Sequence, residues 1–308
     1  MSSPSHDSTG RNSLVAILRT MRPHQWVKNL FVLAPLFFSQ AFWDWTLLLK
    51  GVAAALLFSL MAGTVYLIND IADRERDRRH PTKRHRPIAA GELSVRSATM
   101  AAWFFGITTV VGAAALDLGL VAVLSLYLLM NLAYSKILKD WAFVDVGIIA
   151  IGFVLRVLAG SLAIGVFLSE WLVLCTFLLA CFLALGKRRH EVAMSRAGDI
   201  EGTRDGWERY RVEQLDVGLF IAGSLTVAAY TIYALTASLP DQPLRTQHTP
   251  FSSPLLPVTI PMVVLGMARF FQISKRETPT SPTESMLRDW WILAVGLLWV
   301  ASLLLLEY

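Results

Sequence analysis

Charged residues are scarce in this sequence. Of its 308 residues, 17% are Asp, Glu, Lys or Arg and 55% are hydrophobic. Because soluble domains carry about 25% charged residues, this composition excludes an ordinary soluble protein. Cysteine is also rare: Cys175 and Cys181 lie six residues apart on one predicted helix, where they point to different faces and cannot form a bridge. We therefore exclude a disulfide framework and interpret both as packing residues.

Two further features are missing. The sequence contains no nucleic-acid-binding module, so its net charge of +5 is not a reason to expect nucleic acid as a partner. Residues 1–13 are polar, and no short apolar segment with a small-residue cleavage site follows them, so we expect no cleavable signal peptide. We expect residues 1–20 to form a disordered cytoplasmic N-terminus and residues 21–308 to form a single transmembrane domain.

Long hydrophobic blocks make up most of the chain, and blocks near 20 residues are typical of membrane-spanning helices. The predicted fold class is therefore all-α, a polytopic membrane protein with about nine transmembrane helices. The first predicted span is irregular, because it contains Pro35 and ends in Trp43-Asp44-Trp45. The nine blocks are 29–46, 51–70, 97–116, 118–135, 143–165, 168–186, 216–238, 254–272 and 290–306.

Basic residues lie almost entirely on one side of the predicted bundle. If the loops alternate between the two sides, one side carries nearly all the Lys and Arg, whereas the other carries Lys50 and Arg245. The positive-inside rule then predicts a multi-pass protein of the inner (plasma) membrane with its N-terminus in the cytoplasm and its C-terminus outside. No strong Gly-x-x-x-Gly face is present, so the sequence does not indicate an oligomeric state.

An acidic run follows the second predicted span. Asp70, Asp73 and Asp77 are spaced i, i+3 and i+7, which places them on one face of a helix, with Asn69 beside them. Carboxylates grouped in this way can hold Mg²⁺, which prefers oxygen ligands and is commonly completed by substrate phosphates. The alternative is a solvated helix end. We favour a diphosphate site, because bilayer spanning alone does not require this arrangement.

A basic run comes directly after the acids. Lys83, Arg84 and Arg86 can contact phosphate oxygens that a metal ion does not reach. The alternative is a positive-inside cluster with no further role. Their proximity to the acids favours phosphate binding, without indicating which of them bind.

Further candidates lie at later span ends. Asp145 opens an apolar span and Arg156 lies eleven residues deeper in it, and such intramembrane charges are functional candidates. The alternative for Arg156 is a structural pair with a buried acid. The remaining candidates for substrate binding are Lys28, Tyr134, Lys139, Lys187 and Arg188. The alternative is interfacial anchoring for Lys28 and snorkelling for Lys187 and Arg188.

Taken together, these residues resemble the UbiA superfamily of intramembrane prenyltransferases. The first motif, Asn69-Asp70-x-x-Asp73-x-x-x-Asp77, carries the superfamily resemblance. Five other segments are similar to its decaprenyl-phosphate phosphoribosyltransferase branch, and the resemblance as a whole covers roughly residues 20 to 300. These segments are Arg22-Pro23-x-Gln25-Trp26-x-Lys28-Asn29, His80 to Gly91, Tyr134 to Val146 and Leu155-Arg156, followed by Gly186-Lys187-Arg188.

The resemblance implies a bundle around a central cavity open to the cytoplasm, forming one catalytic domain over residues 21–308. It implies Mg²⁺ bound by Asp70, Asp73 and Asp77, with Asp73, Asp77 and Asp145 in catalysis. It also implies phosphoribosyl diphosphate as donor and a polyprenyl phosphate lipid as acceptor, with the product serving cell-envelope polysaccharide synthesis. The second acidic motif departs from the superfamily pattern, since Asp140 and Asp145 are five residues apart rather than four. A second full metal site is therefore in doubt.

Two other functions compete with this interpretation. An aromatic prenyltransferase of the same superfamily would use a polyprenyl diphosphate donor and a hydroxybenzoate-like acceptor with the same metal chemistry. A transporter would use the intramembrane Arg and Asp to line a pathway. The clustering of acids at one membrane edge speaks against the transporter.

Overall fold

The structure is a computed structural model that describes residues 7–138, 141–196, 210–238, 253–276 and 280–307. Regular secondary structure within these ranges is entirely helical. Three 3₁₀ helices cover Pro23–Leu33, Lys83–His85 and Leu256–Thr259. The α-helices are α1 (Asp7–Met21), α2 (Ala34–Phe38), α3 (Trp45–Ala72), α4 (Arg74–Arg78), α5 (Val95–Leu116), α6 (Leu118–Lys136), α7 (Val144–Ile164), α8 (Glu170–Arg196), α9 (Val212–Ala237), α10 (Ile260–Ser274), α11 (Pro282–Arg288) and α12 (Trp290–Glu307).

The described residues contain 7 helical segments long and apolar enough to cross a membrane. An eighth crossing arises if α11 and α12, which meet at a bend of 72°, form one broken span. The all-α membrane fold predicted from the sequence is therefore confirmed. The count of nine spans and the central cavity open to the cytoplasm stay predictions.

The first predicted span, 29–46, differs from the structure. Pro23–Leu33 is a 3₁₀ helix, and only Ala34–Phe38 continues as α-helix, with Pro35 in its first turn. α3 begins earlier than predicted, because Asp44 caps it by accepting hydrogen bonds from the amides of Thr46 and Leu47. The predicted span is therefore irregular because it changes from a 3₁₀ helix to an α-helix just before Pro35.

The 3₁₀ segment nevertheless runs antiparallel along α3. Arg22 pairs with Asp70 near the end of α3, and Asn29 donates a hydrogen bond to Ser59 at 2.8 Å. Leu33 reaches the position of Gly51 near the start of α3. With a rise of about 2.0 Å per residue, eleven 3₁₀ residues extend about 22 Å, so the segment spans much of the bilayer core.

Burial along this segment repeats every third residue, as a 3₁₀ helix requires. Asn29 and Val32 face the protein interior and are buried. Val27 and Leu30 form a separate, exposed apolar row. Gln25, Lys28 and Phe31 fall in a third row.

α7 lies at the centre of the bundle and packs against α3, α6, α8 and the 3₁₀ segment. Its buried side chains join those of α3 and α6 in one apolar cluster that includes Phe58, Met61, Leu124 and Leu155. A second cluster joins α8, α9 and α10 through Phe182, Leu215, Leu219 and Phe270. α7 therefore links the two halves of the bundle and holds Asp145 and Arg156 in fixed positions between them.

The N-terminal region is more ordered than predicted. Where we expected disorder over residues 1–20, α1 runs from Asp7 to Met21. Ala16 and Met21 are buried, and Met21 packs directly on Gly63 of α3. This apolar contact explains the helix, because burying such side chains offsets the entropy of ordering the segment.

An apolar groove of about 550 Å³ lies between α3, α5 and α6. Its floor includes the buried Met61 and Ala102, and its rim includes the exposed Trp103 and Ile107. The α3 residues that line it repeat at helical spacing on the side facing away from Asp70. The groove is therefore a lipid-facing surface that is separate from the charged residues.

Gly160 of α7 tests the packing of the 3₁₀ segment. A Cβ at this position would lie 1.8 Å from the carbonyl oxygen of Val32, whereas a Cβ at Gly147 of the same helix would meet nothing within 4 Å. We expect Gly160→Ala to destabilise the fold by about 1–3 kcal/mol through overpacking. Gly147→Ala should be neutral or stabilising by up to about 1 kcal/mol. Thermal unfolding in detergent measures both, and equal effects would contradict the contact.

Candidate functional site

Two aspartates of the predicted acidic motif are buried together at the end of α3 and in α4. Asp70 and Asp77 are 3% and 2% exposed. Arg22 Nη2 lies 2.7 Å from Asp70 Oδ1, and Arg86 Nη1 lies 3.0 Å from the same oxygen. Arg86 Nη1 also lies 2.7 Å from Asp77 Oδ2. We call these four residues the acid–arginine cluster. One nitrogen of Arg86 thus bridges both carboxylates.

The local fold explains how the two acids meet. α3 ends at Ala72, but the amide of Asp73 still bonds to Asn69 O, and the amide of Asp77 bonds to Asp73 O at 2.8 Å. Helical phase therefore continues from α3 into α4, and residues seven apart remain on one face. The prediction of a shared face holds for Asp70 and Asp77.

The other residues of the two predicted runs lie outside these contacts. Asp73 and Asn69 are partly buried, and within the described ranges neither joins an ion pair. Lys83 and Arg84 lie in the short 3₁₀ helix, where Arg84 is exposed and Lys83 is partly buried. The structure thus brings only Arg86 of the basic run onto the acids.

Arg22 was not predicted as a site residue, although it lies in a segment that carried the resemblance. Its backbone adopts φ 55°, a left-handed conformation that is uncommon for a residue with a side chain. The guanidinium stacks over the Tyr66 ring at 4.7 Å and pairs with Asp70. Tyr66 precedes Asp70 by one helical turn, so both contacts come from one face of α3.

A second charged cluster joins the start of α7 to the end of α8. Arg188 Nε lies 2.5 Å from Asp145 Oδ2, and Arg188 also pairs with Glu191. Tyr210 donates a hydrogen bond of 2.6 Å to Asp145 Oδ1. Asp145 is buried, so its charge is neutralised by Arg188 and its second oxygen is satisfied by Tyr210.

Tyr210 is another residue that the sequence analysis missed. Its hydroxyl accepts a hydrogen bond of 2.8 Å from the amide of Phe143, which has a left-handed backbone with φ 64°. Burial and the hydrogen bond to Asp145 raise the pKa of Tyr210 above its usual value. The hydroxyl therefore stays protonated and can keep donating to the carboxylate.

Arg156 lies deeper in the bundle, about 16 Å along α7 from Asp145. Its Nε donates to Asn29 Oδ1 at 2.8 Å and its Nη1 donates to Gly152 O at 2.7 Å. Its guanidinium also lies over the rings of Phe58, Tyr127 and Phe153. Within the described ranges no carboxylate pairs with it, so the alternative of a buried acid partner is not supported there. Polar and aromatic groups stabilise the charge instead.

Lys28 lies between the deep arginine and the second cluster. Its side chain is open to solvent but surrounded by protein on most sides. The charges of Lys187 and Arg156 act on its ammonium group. Three cations therefore repel one another across a shared space, which is an electrostatic condition that favours a bound anion.

The remaining predicted residues have simple positions. Lys187 pairs loosely with Glu191 at 3.7 Å. Tyr134 is partly buried near the end of α6, within electrostatic range of Arg188. Lys139 and Asp140 lie outside the described residues.

The chemistry of the acid–arginine cluster suits a hard divalent cation. Asp70, Asp73 and Asp77 offer only oxygen donors, and two of them already converge on one point. Within the described ranges, no group of three or more His, Cys, Asp or Glu is arranged to hold a metal ion. The oxygen donors of these aspartates fit a site in which carboxylates hold the ion and phosphate oxygens complete its coordination.

The fold and the site together define an intramembrane protein with charged clusters suited to phosphorylated ligands. A sequence model of the UbiA prenyltransferase family matches residues 30–293. The chain belongs to this family.

Individual relatives agree with this assignment. The chain is 31% identical to the decaprenyl-phosphate phosphoribosyltransferase of Mycobacterium tuberculosis over 94% of each chain. It is 29% identical to the enzyme of the same name from Corynebacterium glutamicum, covering 97% of this chain and 88% of the relative. The resemblance to the superfamily and to this branch is confirmed, as is the prediction that the chain is an enzyme.

A solved structure shows the same fold. The UbiA homolog from Archaeoglobus fulgidus bound to GPP and Mg²⁺ superposes with a TM-score of 0.65 at 18% identity, covering 94% of this chain and 99% of that chain.

The second cluster can be tested by removing its charges singly and together. Arg188→Gln leaves the buried Asp145 charge unpaired, which should cost about 3–5 kcal/mol of unfolding free energy. The double variant Arg188→Gln with Asp145→Asn should recover most of that loss, because the buried charge is then absent. Thermal unfolding in detergent measures the cycle. Additive losses in the double variant would contradict the pairing.

Proposed function

We propose that the enzyme transfers 5-phosphoribosyl from phosphoribosyl diphosphate to a polyprenyl phosphate in the membrane. The products are polyprenyl-phosphoryl-5-phosphoribose and diphosphate. The relatives named decaprenyl-phosphate phosphoribosyltransferase, which align over nearly the whole chain, support this choice.

The observation that carries the proposal is the presence of two separate cationic groups. Arg22 and Arg86 lie at the acids of α3 and α4, whereas Lys28 and Lys187 lie toward α7 and α8. A prenyl diphosphate has one charged end. Phosphoribosyl diphosphate has a diphosphate at C1 and a phosphate at C5, and the acceptor brings another phosphate. Two phosphorylated substrates account for cations in two places.

Asp70, Asp73 and Asp77, with Asn69 beside them, would hold Mg²⁺. When bound, the ion would neutralise charge on the leaving diphosphate. An Mg²⁺ ion accompanies GPP in the homolog from Archaeoglobus fulgidus, which supports a divalent metal in this family.

The reaction breaks the bond from ribose C1 to the diphosphate oxygen, and the diphosphate leaves with the electron pair. A lipid phosphate oxygen forms the new bond to C1 from the opposite face. This oxygen is already anionic, so a general base is not required. The protein's contribution is to position two anions close together and to stabilise the departing charge.

Individual side chains have distinct roles in this proposal. Arg22 and Arg86 contact the diphosphate. Lys28, Lys187 and Arg188 lie toward the second phosphate, and Lys83, Arg84 and Lys139 are additional phosphate contacts at the membrane surface. Tyr134 and Asp145 orient the ribose, while Arg156 anchors Asn29 and so positions Lys28.

The proposal places the protein in the plasma membrane with both charged clusters at the cytoplasmic face. The N-terminus then lies in the cytoplasm and the C-terminus outside. A soluble, charged donor is accessible from that side, and the apolar tail of the acceptor remains in the bilayer. The product would supply cell-envelope polysaccharide synthesis.

A donor comparison tests the reaction. Purified protein in detergent should transfer label from phosphoribosyl diphosphate to decaprenyl phosphate only when Mg²⁺ is present. Asp73→Asn should lower the rate by at least about two orders of magnitude, as loss of a charge clamp typically does. Asp117→Asn is the matched control. Asp117 lies between α5 and α6, at the end of these helices away from the acids, and Asn in its place can still cap α6.

The competing function predicts another outcome in the same assay. An aromatic prenyltransferase would consume a polyprenyl diphosphate with a hydroxybenzoate-like acceptor and leave phosphoribosyl diphosphate untouched. That result would show that the donor is a polyprenyl diphosphate. It would leave the fold and the proposed metal chemistry unchanged.

The position of Lys28 beside two other cations predicts that its charge contributes to donor binding. We expect Lys28→Gln to raise KM for the donor about tenfold, reflecting one lost charged contact. Lys28→Arg, which keeps the charge, should stay near the wild-type KM. An unchanged KM in Lys28→Gln would rule out this role.

A further inference from the structure

Two of the three proposed metal ligands are already paired with cations of the protein. Asp70 and Asp77 are buried, and their carboxylates contact Arg22 and Arg86 at 2.7–3.0 Å. We infer that these two arginines are internal counter-ions that a divalent cation replaces, and that metal and diphosphate therefore bind as a coupled pair. This inference rests on the proposed function, because it assigns the acid–arginine cluster to a diphosphate ligand.

Arg86 contacts the carboxylate oxygens that would hold the ion. Its Nη1 lies 3.0 Å from one oxygen of Asp70 and 2.7 Å from one oxygen of Asp77. Mg²⁺ would be held by the same carboxylates, because it prefers oxygen ligands. The guanidinium of Arg86 would then have to leave these oxygens, so the ion and Arg86 compete for the two carboxylates.

A count of charges shows why the two ligands depend on each other. Two acids and two arginines sum to zero, and the partly buried Asp73 beside them adds one negative charge. A divalent ion alone would therefore leave an uncompensated positive charge in a poorly hydrated place, which is unfavourable. A diphosphate alone would be repelled by the two buried carboxylates. When both bind, the added charges largely cancel.

The displaced arginines are suitably placed for the diphosphate. Each side chain is 27% exposed, whereas the acids beneath them are almost fully covered. The guanidinium groups therefore lie on the open side of the carboxylates, where an anion arrives. Guanidinium binds phosphate oxygens through paired donors, so a small movement exchanges a carboxylate for a phosphate. The stacking on Tyr66 keeps Arg22 nearby during the exchange.

A purely structural role for these arginines makes the opposite prediction. If they only stabilise the end of α3, removing one should weaken every property of the cluster, including metal affinity. The exchange predicts effects of opposite sign on the two ligands. This difference makes the inference testable without the donor or the acceptor.

The test compares Arg86→Gln with wild type and with Arg19→Gln, using the full chain in detergent. Arg19 pairs with the exposed Glu92 and lies outside the acid–arginine cluster, so it controls for the loss of one cation. Binding of Mn²⁺ alone, as a probe for the divalent ion, is measured from the electron paramagnetic resonance signal of the free ion. Binding of radiolabelled inorganic pyrophosphate is measured separately by equilibrium dialysis at fixed free Mg²⁺.

We expect Arg86→Gln to bind Mn²⁺ about tenfold more tightly than wild type, because the cluster then carries one net negative charge. The same variant should bind pyrophosphate with Mg²⁺ about tenfold more weakly, since a charged phosphate contact is lost. Arg19→Gln should match wild type in both measurements. Unchanged or weaker Mn²⁺ binding by Arg86→Gln would overturn the exchange.

A second measurement covers the case in which Arg86→Gln folds poorly. The variant leaves buried carboxylates without their shared partner, so its melting temperature should fall without metal and rise with Mg²⁺ more than that of wild type. An equal Mg²⁺ response in both proteins would also overturn the exchange. Pyrophosphate is common to phosphoribosyl and prenyl diphosphate donors, so these results do not depend on which donor the enzyme uses.

Discussion

The contact of Arg86 with both Asp70 and Asp77 is the interaction on which the charged end of the bundle depends. Two carboxylates are buried at a membrane edge, where an unpaired charge would be costly. The bridge permits α3 to carry acids into α4 and fixes the chain that returns toward α5. Arg22, which precedes α3 in the sequence, adds a second contact to Asp70. The same residues thus stabilise the fold and group the carboxylates that we propose as metal ligands.

Much of this arrangement could be predicted from local sequence. Asp70 and Asp77 are seven residues apart, so a helical period alone places them on one face, and Arg86 follows within ten residues. Long apolar blocks indicated the membrane helices for the same reason, because about twenty consecutive apolar residues are enough to predict each span. Predictions of this kind hold when the deciding contacts are close in sequence.

Arg22 and Tyr210 could not be identified in this way. Arg22 meets Asp70 across 48 residues and Tyr210 meets Asp145 across 65, and no periodicity reports such contacts. The 3₁₀ helix was missed for another reason. Apolar composition predicts that a segment enters the membrane. Whether that segment forms an α-helix or a 3₁₀ helix depends on its packing, here on the approach of the Val32 carbonyl to Gly160. Asp73 shows the opposite limit of spacing. The helical period places it near Asp70 and Asp77, but within the described residues it joins no ion pair.

The narrow helix before α2 has one further consequence. Arg22 directly precedes this helix, and Lys28 lies about 10 Å of rise beyond its first residue, Pro23. Contacts with Asp70, Ser59 and α7 fix the position of the segment along α3. The backbone therefore keeps the two positive charges at a set separation. In the proposed function, the length of an anion as well as its charge would then decide whether it can contact both.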